Sequence, residues 1–284
     1  MNKIFTIIPQ FLQNPQEFYE SIQRGEKLKS KAISLFFSTL TFLIIYGFAT
    51  GISRSWQQAF STAVKMPILF LLTLVFTLPA LYFFALALLN IQFSALQAGI
   101  VILSGVGVTA FLLLGLAPVT LFFSATSSNY PFFQLLAVVF VAISGFLGLY
   151  YILRGIAWVD KNNELQSNSI GSILLKAWVF LYAFVGAQMT WRLSPFIGNP
   201  KDDFVFIRPS RDNFFVDVLN AFQDAFGLTV SRNGLDMFGI YFCGGAIALI
   251  ALVIGIFVGS KKKIKHAKEL AEKLEAYSEA EQEK

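Results

Sequence analysis

Residues able to do enzyme chemistry are few in this sequence and lie far apart. The 284 residues include one histidine, His266, and one cysteine, Cys243. A serine–histidine pair needs its histidine beside the nucleophile, but His266 lies in a polar tail after the last apolar run. One histidine, one cysteine and no HExxH sequence do not supply a zinc ligand set. The sequence therefore predicts a protein that is not an enzyme and that binds no cofactor or metal.

Acidic side chains are absent from the interiors of the apolar runs. Intramembrane aspartyl enzymes and transporters coupled to protons or sodium place acidic or histidine side chains at depth in the membrane. Lys176 is the one charge inside these runs, and its stem is expected to reach the nearer interface. Passage of an uncharged or lipidic molecule needs no buried charge, so that function stays open.

The composition is that of an integral membrane protein. Hydrophobic residues make up 56% of the chain and charged residues 14%, against about 25% charged residues in ordinary soluble domains. A soluble fold of this size cannot cover so much apolar surface, whereas a bilayer supplies an apolar solvent for it. The three consecutive lysines 261–263, directly after the last apolar run, fit an anchor at anionic lipid. They are too few for a nucleic-acid-binding surface, so no nucleic-acid partner is expected.

Six apolar runs are long enough to cross a bilayer as helices, because about 20 residues span its hydrocarbon core. Pro67 and Pro131 are expected in the first turns of their helices, where the missing N–H is no loss. The predicted fold is an all-α polytopic bundle with one transmembrane domain over 33–259. Its predicted spans are 33–50, 67–89, 97–124, 131–153, 171–191 and 237–259.

The distribution of lysine and arginine predicts the orientation. Fifteen of the 22 basic residues lie on the side that holds both termini, and seven lie on the other side. Cytoplasmic segments carry the excess of positive charge, so both termini are expected in the cytoplasm. Six spans agree with this, because an even number of spans places both termini on the same side. The predicted location is the inner (plasma) membrane or another energy-transducing membrane, in a bacterial cell.

Three segments outside the predicted spans have helical patterns of their own. In the cytoplasmic N-terminal segment 1–32, Asn14 and Pro15 predict the start of a short amphipathic helix on the membrane surface. The outer loop 192–236 carries apolar residues at helical spacing interleaved with acids, which predicts an interfacial helix. The C-terminal segment 260–284 reads as a charged cytoplasmic helix.

The start of the outer loop is the candidate interaction site. Two prolines and a glycine impose a fixed, non-helical path there, and aromatic and basic residues follow. The segment is either a structural cap over the bundle or a site for a ligand or partner. Its candidate residues are Trp191, Arg192, Pro195, Phe196, Gly198, Arg208, Phe214 and Phe215.

Two prolines and two glycines inside the predicted spans are candidate positions for a kink, a gate or close helix packing. Pro79 and Pro118 interrupt the second and third spans and either kink a packing helix or form a gate. Gly255 and Gly259 form a GxxxG pair in the sixth span, which suits packing within the bundle or between two copies of the chain.

Two stretches resemble known sequences. The run Lys65-Met66-Pro67-Ile68-Leu69-Phe70-Leu71-Leu72-Thr73, followed by Leu78-Pro79-Ala80-Leu81-Tyr82, is similar to uncharacterised bacterial polytopic membrane proteins, as is the segment 191–213. The plan of the first five spans is loosely similar to the Yip-type membrane-domain family. That resemblance implies a helical membrane domain and a trafficking or membrane-shaping role, and it implies no catalytic residues. The outer loop and the sixth span depart from the five-span Yip plan.

Two functions follow as hypotheses. The first is a scaffold, assembly factor or accessory subunit whose partners are membrane lipids and another protein or a second copy, bound through helix packing or the outer loop. The alternative is a transporter or channel for an uncharged or lipidic substrate, gated around Pro79 and Pro118, with a cavity expected between the second and third spans.

Overall fold

The computed structural model describes residues 3–52, 54–83, 94–126, 129–159, 169–198, 203–207 and 214–226. Within these residues all regular secondary structure is α-helical, as the sequence predicted. The predicted C-terminal helix and the pair Gly255 and Gly259 lie outside the described residues. The helices are α1 (Lys3–Gln13), α2 (Pro15–Gln23), α3 (Leu28–Gly51), α4 (Trp56–Phe83), α5 (Ala95–Thr126), α6 (Tyr130–Val159), α7 (Ser169–Arg192) and α8 (Phe214–Phe226).

Four of these helices are long and apolar enough to cross a membrane: Leu28–Gly51, Trp56–Ala80, Ala95–Thr126 and Tyr130–Trp158. They contain most of the first four predicted spans. The fifth predicted span, 171–191, lies within α7, and the sixth, 237–259, lies outside the described residues. The described part of the chain is therefore helical and contains four candidate membrane spans, and the count of six for the whole chain stays a prediction.

The second predicted span begins earlier than hydropathy indicated. Helix α4 starts at Trp56, so Pro67 lies in the helix interior and the prediction that it occupies the first turn is wrong. The added turns carry several polar residues, which lower the local hydropathy. They include Gln58, Ser61, Thr62 and Lys65, all buried inside the bundle rather than exposed to water. Helix α6, by contrast, does begin beside Pro131, and the Asn129 side chain accepts a hydrogen bond from the Phe132 N–H at 3.1 Å.

Glycines let two pairs of helices approach closely. A Cβ on Gly47 or Gly51 of α3 would lie 2.5 Å from the Thr62 or Gln58 carbonyl oxygen of α4. These two glycines have the GxxxG spacing that brings helix backbones together in membranes. The contact between α5 and α6 is equally tight, because a Cβ on Gly105 would lie 2.5 Å from the Gly148 carbonyl oxygen.

The N-terminal helices α1 and α2 pack against the bundle. Ile8, Phe11, Tyr19 and Ile22 are buried in the main apolar core, with α1 against α3 and α5 and α2 against α5 and α6. The Tyr19 hydroxyl donates to the Tyr151 carbonyl oxygen at 2.8 Å, and burial raises the pKa of that hydroxyl, which keeps it protonated. A helix does begin at Pro15, but its apolar side covers protein and not a lipid surface.

The outer faces of the long helices are apolar and exposed, as expected for surfaces in contact with lipid. Trp178 does not share that exposure: it is fully buried, and its indole N–H donates to the Thr77 carbonyl oxygen at 2.8 Å. It therefore joins α7 to α4 and does not form part of an aromatic belt facing lipid. Large exposed apolar residues include Phe60, Val75, Phe76, Phe122, Ile143 and Phe146.

Candidate functional site

The chain folds back over α4 directly after α7. Helix α7 ends at Arg192, and the Ser194 N–H donates to the Trp191 carbonyl oxygen at 3.2 Å as the helix breaks. The Ser194–Pro195 peptide bond is cis. Because proline donates no N–H and glycine tolerates close approach, this sequence gives an irregular turn. We call residues 193–198 the outer turn.

Polar side chains of α4 hold the carbonyl groups of the outer turn. Gln58 Nε2 donates to the Pro195 and Phe196 carbonyl oxygens at 2.9 and 3.1 Å, and Thr62 Oγ1 donates to the latter at 2.6 Å. Lys65 Nζ donates to the Pro195 carbonyl oxygen at 2.9 Å. A helix places residues i, i+4 and i+7 on one face, so the three side chains form one stripe. We call Gln58, Thr62 and Lys65 the α4 polar stripe.

Lys65 is the most unusual member of this stripe, because its side chain is only 1% exposed. Besides the Pro195 carbonyl, its ammonium lies 4.8 Å from the centre of the Phe206 ring. Neither of the two ion pairs in the described part of the chain involves Lys65. A carbonyl dipole and an aromatic face therefore stabilise this buried charge.

Helix α6 and residue Arg54 complete the attachment of the outer turn. The Tyr130 hydroxyl donates to the Ile197 carbonyl oxygen at 2.9 Å. A Cβ on Gly198 would lie 2.8 Å from Arg54 Cγ, so the close approach at this point favours glycine. The outer turn is thus attached to both α4 and α6, and it closes the end of the space between them.

A cavity of about 330 Å³ lies beneath the outer turn, between α4, α6, α7 and α8. Its described lining is mostly apolar, and Asp217 is the one described lining residue with an ionisable acid. The α6 lining runs from Tyr130 to Leu149, which is about 28 Å at 1.5 Å per residue. The cavity is therefore long and narrow, and it extends from the outer turn along most of the length of α6.

The side of the cavity is open at α6. Phe146 lines the cavity and is also 73% exposed on the surface of the bundle. Small residues form much of the wall, and a Cβ on Gly145 would meet nothing within 4 Å. This side of the cavity therefore borders the exposed surface of α6.

The indole N–H of Trp191 has no hydrogen-bond partner. Trp191 lines the cavity, and its Nε1 atom is buried. The described residues contain four other buried side-chain polar atoms without a partner, on Thr39, Tyr46, Ser61 and Ser144, and none of those residues lines this cavity. Buried donors in folded proteins are nearly always paired, so this N–H is an exception among the described residues.

The structure brings together only part of the predicted interaction site. Trp191, Pro195 and Phe196 line the cavity. Arg192 is exposed, and its guanidinium lies 5.3 Å from the centre of the Trp191 ring. Gly198 lies in the outer turn and Phe214 begins α8, whose next residue, Phe215, is partly buried. Arg208 lies outside the described residues.

The predicted gate and the predicted cavity do not coincide with the observed cavity. Pro79 and Pro118 lie inside continuous helices, are exposed, and do not line the large cavity. Among spans one to three the structure has a void of about 10 Å³ beside Pro67 and Thr39, enough for about one water molecule. A gate at Pro79 or Pro118 stays a prediction, because neither residue lines the large cavity in the described part of the chain.

The α4 polar stripe was not predicted from the sequence, in which Lys65 was one of the seven basic residues on the side opposite the termini. The spacing of Gln58, Thr62 and Lys65 was the available signal, because polar residues on one face of an apolar helix indicate a polar contact. Within the described residues, no group of three or more His, Cys, Asp or Glu side chains is placed to hold a metal ion.

Comparison of the chain with protein families, with characterised proteins and with solved structures finds no match. The resemblance to bacterial polytopic membrane proteins and to the Yip-type family therefore stays a prediction from the sequence.

Proposed function

We propose that this chain is a non-enzymatic, multi-pass integral membrane protein that holds a lipidic molecule in the cavity beneath the outer turn. The observation that carries the proposal is the cavity itself, which is long, apolar and open to the side of a membrane helix. Its volume of about 330 Å³ falls within the roughly 300–1,000 Å³ of ligand pockets. A lipidic molecule is also the substrate class of the transporter or channel that the sequence predicted as the alternative function.

The dimensions of the cavity suit one hydrocarbon chain. Its α6 wall runs for about 28 Å, close to the roughly 30 Å thickness of the hydrocarbon core of a bilayer. Most described lining side chains offer no charge, so a charged solute would lose its hydration without a compensating partner. An alkyl chain loses nothing on leaving lipid and gains close contact with Gly145, Gly186 and their alanine neighbours.

Filling the cavity tests this function. Gly145→Leu places a side chain where a Cβ meets nothing within 4 Å, so it occupies the cavity without displacing protein atoms near its Cβ. The full-length protein is purified in mild detergent, and bound lipid is counted by native mass spectrometry. We expect the dissociation constant for the lipid, obtained from a titration, to rise roughly tenfold, which corresponds to about 1.4 kcal/mol of binding free energy.

Gly115→Leu is the matched control. Gly115 lies in α5, is exposed, does not line the cavity, and also has nothing within 4 Å of a Cβ. We expect this variant to retain the lipid of the wild-type protein. Equal lipid occupancy in the wild-type protein and in Gly145→Leu would contradict the proposed function, provided that both proteins are monodisperse.

A scaffold or accessory role is the second candidate function. The specific observation in its favour is an apolar segment, 204–207, whose four side chains Phe204, Val205, Phe206 and Ile207 are all exposed on the side of the outer turn. Exposed apolar patches are typical of surfaces that bind partners or lipid. If this segment binds a protein, Phe204→Ser with Ile207→Ser removes one specific protein from the material that co-purifies with the wild-type chain. Unchanged co-purification contradicts a scaffold role through this segment.

A further inference from the structure

We propose that the turn between α2 and α3 binds the headgroup of an anionic phospholipid, and that the acyl chains of this lipid lie along the exposed face of α3. We call residues 24–29 the basic turn. The site is separate from the cavity beneath the outer turn, because the described cavity lining contains no residue before Thr50. It is a second lipid contact, which does not depend on what the cavity holds.

Two lysines of the basic turn have no acidic partner in the described part of the chain. Arg24 forms both ion pairs found there, with Glu26 at 2.7 Å and with Glu20 at 3.8 Å. Lys27 and Lys29 are exposed and take part in neither pair. Because Arg24 binds the one acid in the sequence of the basic turn, Glu26, the two lysines leave an uncompensated positive charge at the surface.

An exposed apolar face of α3 follows directly after Lys29. Ile33, Phe36 and Phe37 are all exposed, and their distances in sequence from Lys29 are those of one helix face. At 1.5 Å per residue, Phe37 lies about 12 Å along the helix axis from Lys29, within one leaflet of a hydrocarbon core roughly 30 Å thick. The surface thus has a positive charge above an apolar stripe, which is the order in which a phospholipid presents its phosphate and its acyl chains.

The backbone of Lys27 has an unusual conformation for a lysine. Its φ is 50°, in the left-handed region, which glycine and asparagine adopt more readily than residues with long side chains. Residues other than glycine that are held in this region cluster at active sites and ligand-binding sites. A lysine at this position is therefore expected if its charge binds a ligand.

An anionic phospholipid is the partner that fits this charge and this place. Helix α3 is a candidate membrane span that begins at Leu28, so Lys27 and Lys29 lie at its polar end, at the level of lipid headgroups. Lysines beside a membrane span attract anionic headgroups, with a gain in affinity of about fivefold for each lysine. The sequence has no lysine or arginine from 66 to 153, so most of α4 and all of α5 lack such a charge.

The test measures lipid binding at two matched points on the bundle. In the antiparallel pair of α3 and α4, Gly47 lies against Thr62, and the same register places Phe76 level with Ile33. These two side chains are 60% and 55% exposed. In the full-length protein with Cys243→Ser, a fluorophore is attached at Ile33→Cys or at Phe76→Cys, and each protein is reconstituted in dioleoyl-phosphatidylcholine vesicles.

The quencher is a nitroxide on the upper part of one acyl chain of either phosphatidylglycerol or phosphatidylcholine. Quenching at equal mole fractions gives the relative binding of the two lipids beside each fluorophore. At position 33 we expect phosphatidylglycerol to bind roughly 25-fold more tightly than phosphatidylcholine, about fivefold for each lysine. At position 76 we expect the two lipids to quench equally.

Substitution of the two lysines tests whether their charge causes the preference. In Lys27→Gln with Lys29→Gln, we expect the two lipids to quench equally at position 33. Lys27→Arg with Lys29→Arg is the matched control, because it changes the same two exposed side chains and keeps their charge. We expect this variant to retain the preference for phosphatidylglycerol.

Four results would overturn the inference. They are equal quenching by the two lipids at position 33 with both lysines present, the same preference at positions 33 and 76, a preference that persists in the glutamine variant, and loss of the preference in the arginine variant. None of them bears on the cavity, whose lipid is measured separately with Gly145→Leu. Failure of this inference is therefore distinguishable from failure of the proposed function.

Discussion

The α4 polar stripe shows how single residues change the role of an apolar helix. Gln58, Thr62 and Lys65 are almost fully buried, yet each donates to a carbonyl group of the outer turn. In an apolar surrounding an unpaired amide or ammonium is costly, and so is an unpaired carbonyl of the outer turn. Donors and acceptors therefore satisfy each other, and the outer turn is held in one position over the cavity.

Gln58→Leu tests this attachment. The substitution keeps the approximate size of the side chain but removes its hydrogen bonds to the Pro195 and Phe196 carbonyl oxygens. With each neutral bond worth about 0.5–1.5 kcal/mol, we expect the free energy of unfolding to fall by about 1–3 kcal/mol. Thermal unfolding of the purified protein measures this as a lower melting temperature. Gln57→Leu is the control, because Gln57 is exposed, and it should leave the melting temperature unchanged; equal effects of the two variants would contradict the assigned role of Gln58.

Residue types predicted part of this site and missed part of it. Pro195, Gly198 and Pro200 predicted a non-helical path, because proline restricts the backbone and glycine permits conformations that other residues avoid. Lys65 and Gln58 were not predicted, because their role depends on a carbonyl about 130 residues later in the chain. Trp191 was predicted as a candidate residue, but its unpaired N–H is a property of the packed structure and has no signal in the sequence.

Helices α5 and α6 meet through glycines, and this contact determines how the elements can move. A Cβ on Gly105 would lie 2.2 Å from the Ile152 side chain and 2.5 Å from the Gly148 carbonyl oxygen. A side chain can rotate away, but a backbone carbonyl moves only with its helix. The contact therefore fixes the spacing between α5 and α6 at this point, whereas Gly115 in the same helix has open space beside it.

Gly105→Ala is expected to destabilise the bundle. The added methyl group forces α5 and α6 apart, and overpacking of this kind costs about 1–3 kcal/mol. Gly115→Ala, in the same helix with nothing within 4 Å of its Cβ, is the control and is expected to be neutral or slightly stabilising because alanine favours helix. The two melting temperatures in one detergent give the comparison. A Gly105→Ala protein as stable as Gly115→Ala would show that α5 and α6 adjust freely.

Docking of α2 is a second property of the elements, and Tyr19→Phe tests it. The Tyr19 hydroxyl donates to the Tyr151 carbonyl oxygen of α6 and lies 3.3 Å from Ser104 Oγ of α5. Removing that hydroxyl costs about 1 kcal/mol in stability, while the ring keeps its place against Gly155. We expect faster amide hydrogen exchange in α2 and unchanged exchange in α8. Unchanged exchange in α2 would mean that apolar packing alone holds this helix.

Hydropathy predicted the long helices well and their ends poorly. The bounds of α5 and α6 agree with 97–124 and 131–153 to within a few residues, because both helices are apolar almost to their ends. Helix α4 starts eleven residues before 67 because its first turns carry buried polar side chains. The packing of the apolar faces of α1 and α2 against the other helices was not predicted, because an amphipathic pattern does not say whether protein or lipid covers the apolar face.

At the scale of the whole molecule, burial is uneven among the four candidate spans. In Ala95–Thr126, 67% of the residues in the apolar 18-residue stretch are buried, whereas in Tyr130–Trp158 only 22% are buried. The former is the central helix, packed against α1, α2, α3, α4 and α6. The latter forms an outer wall with the cavity on one side, which places the proposed lipid site at the periphery of the described bundle, next to the membrane.

The orientation of the whole molecule gives the last prediction. If the positive-inside count holds, the turn between α2 and α3 faces the cytoplasm and the start of α4 faces outwards. Glu26 and Gln57 are exposed in these two places, so Glu26→Cys and Gln57→Cys report on them once Cys243 is replaced by serine. In intact cells a membrane-impermeant maleimide should label Cys at position 57 and not at 26, and permeabilised cells should show both.

Two further positions test the number of spans beyond the described helices. With six spans, cysteine at Ser210 is labelled from outside like position 57, and cysteine at Ser278 is protected like position 26. An odd number of spans places Ser278 on the outside instead, because both termini share a side only when the count is even. Labelling at 278 together with protection at 26 in intact cells would therefore exclude six spans. It would leave the four candidate spans and the cavity between α4, α6, α7 and α8 unchanged, since those depend on contacts within 3–226 alone.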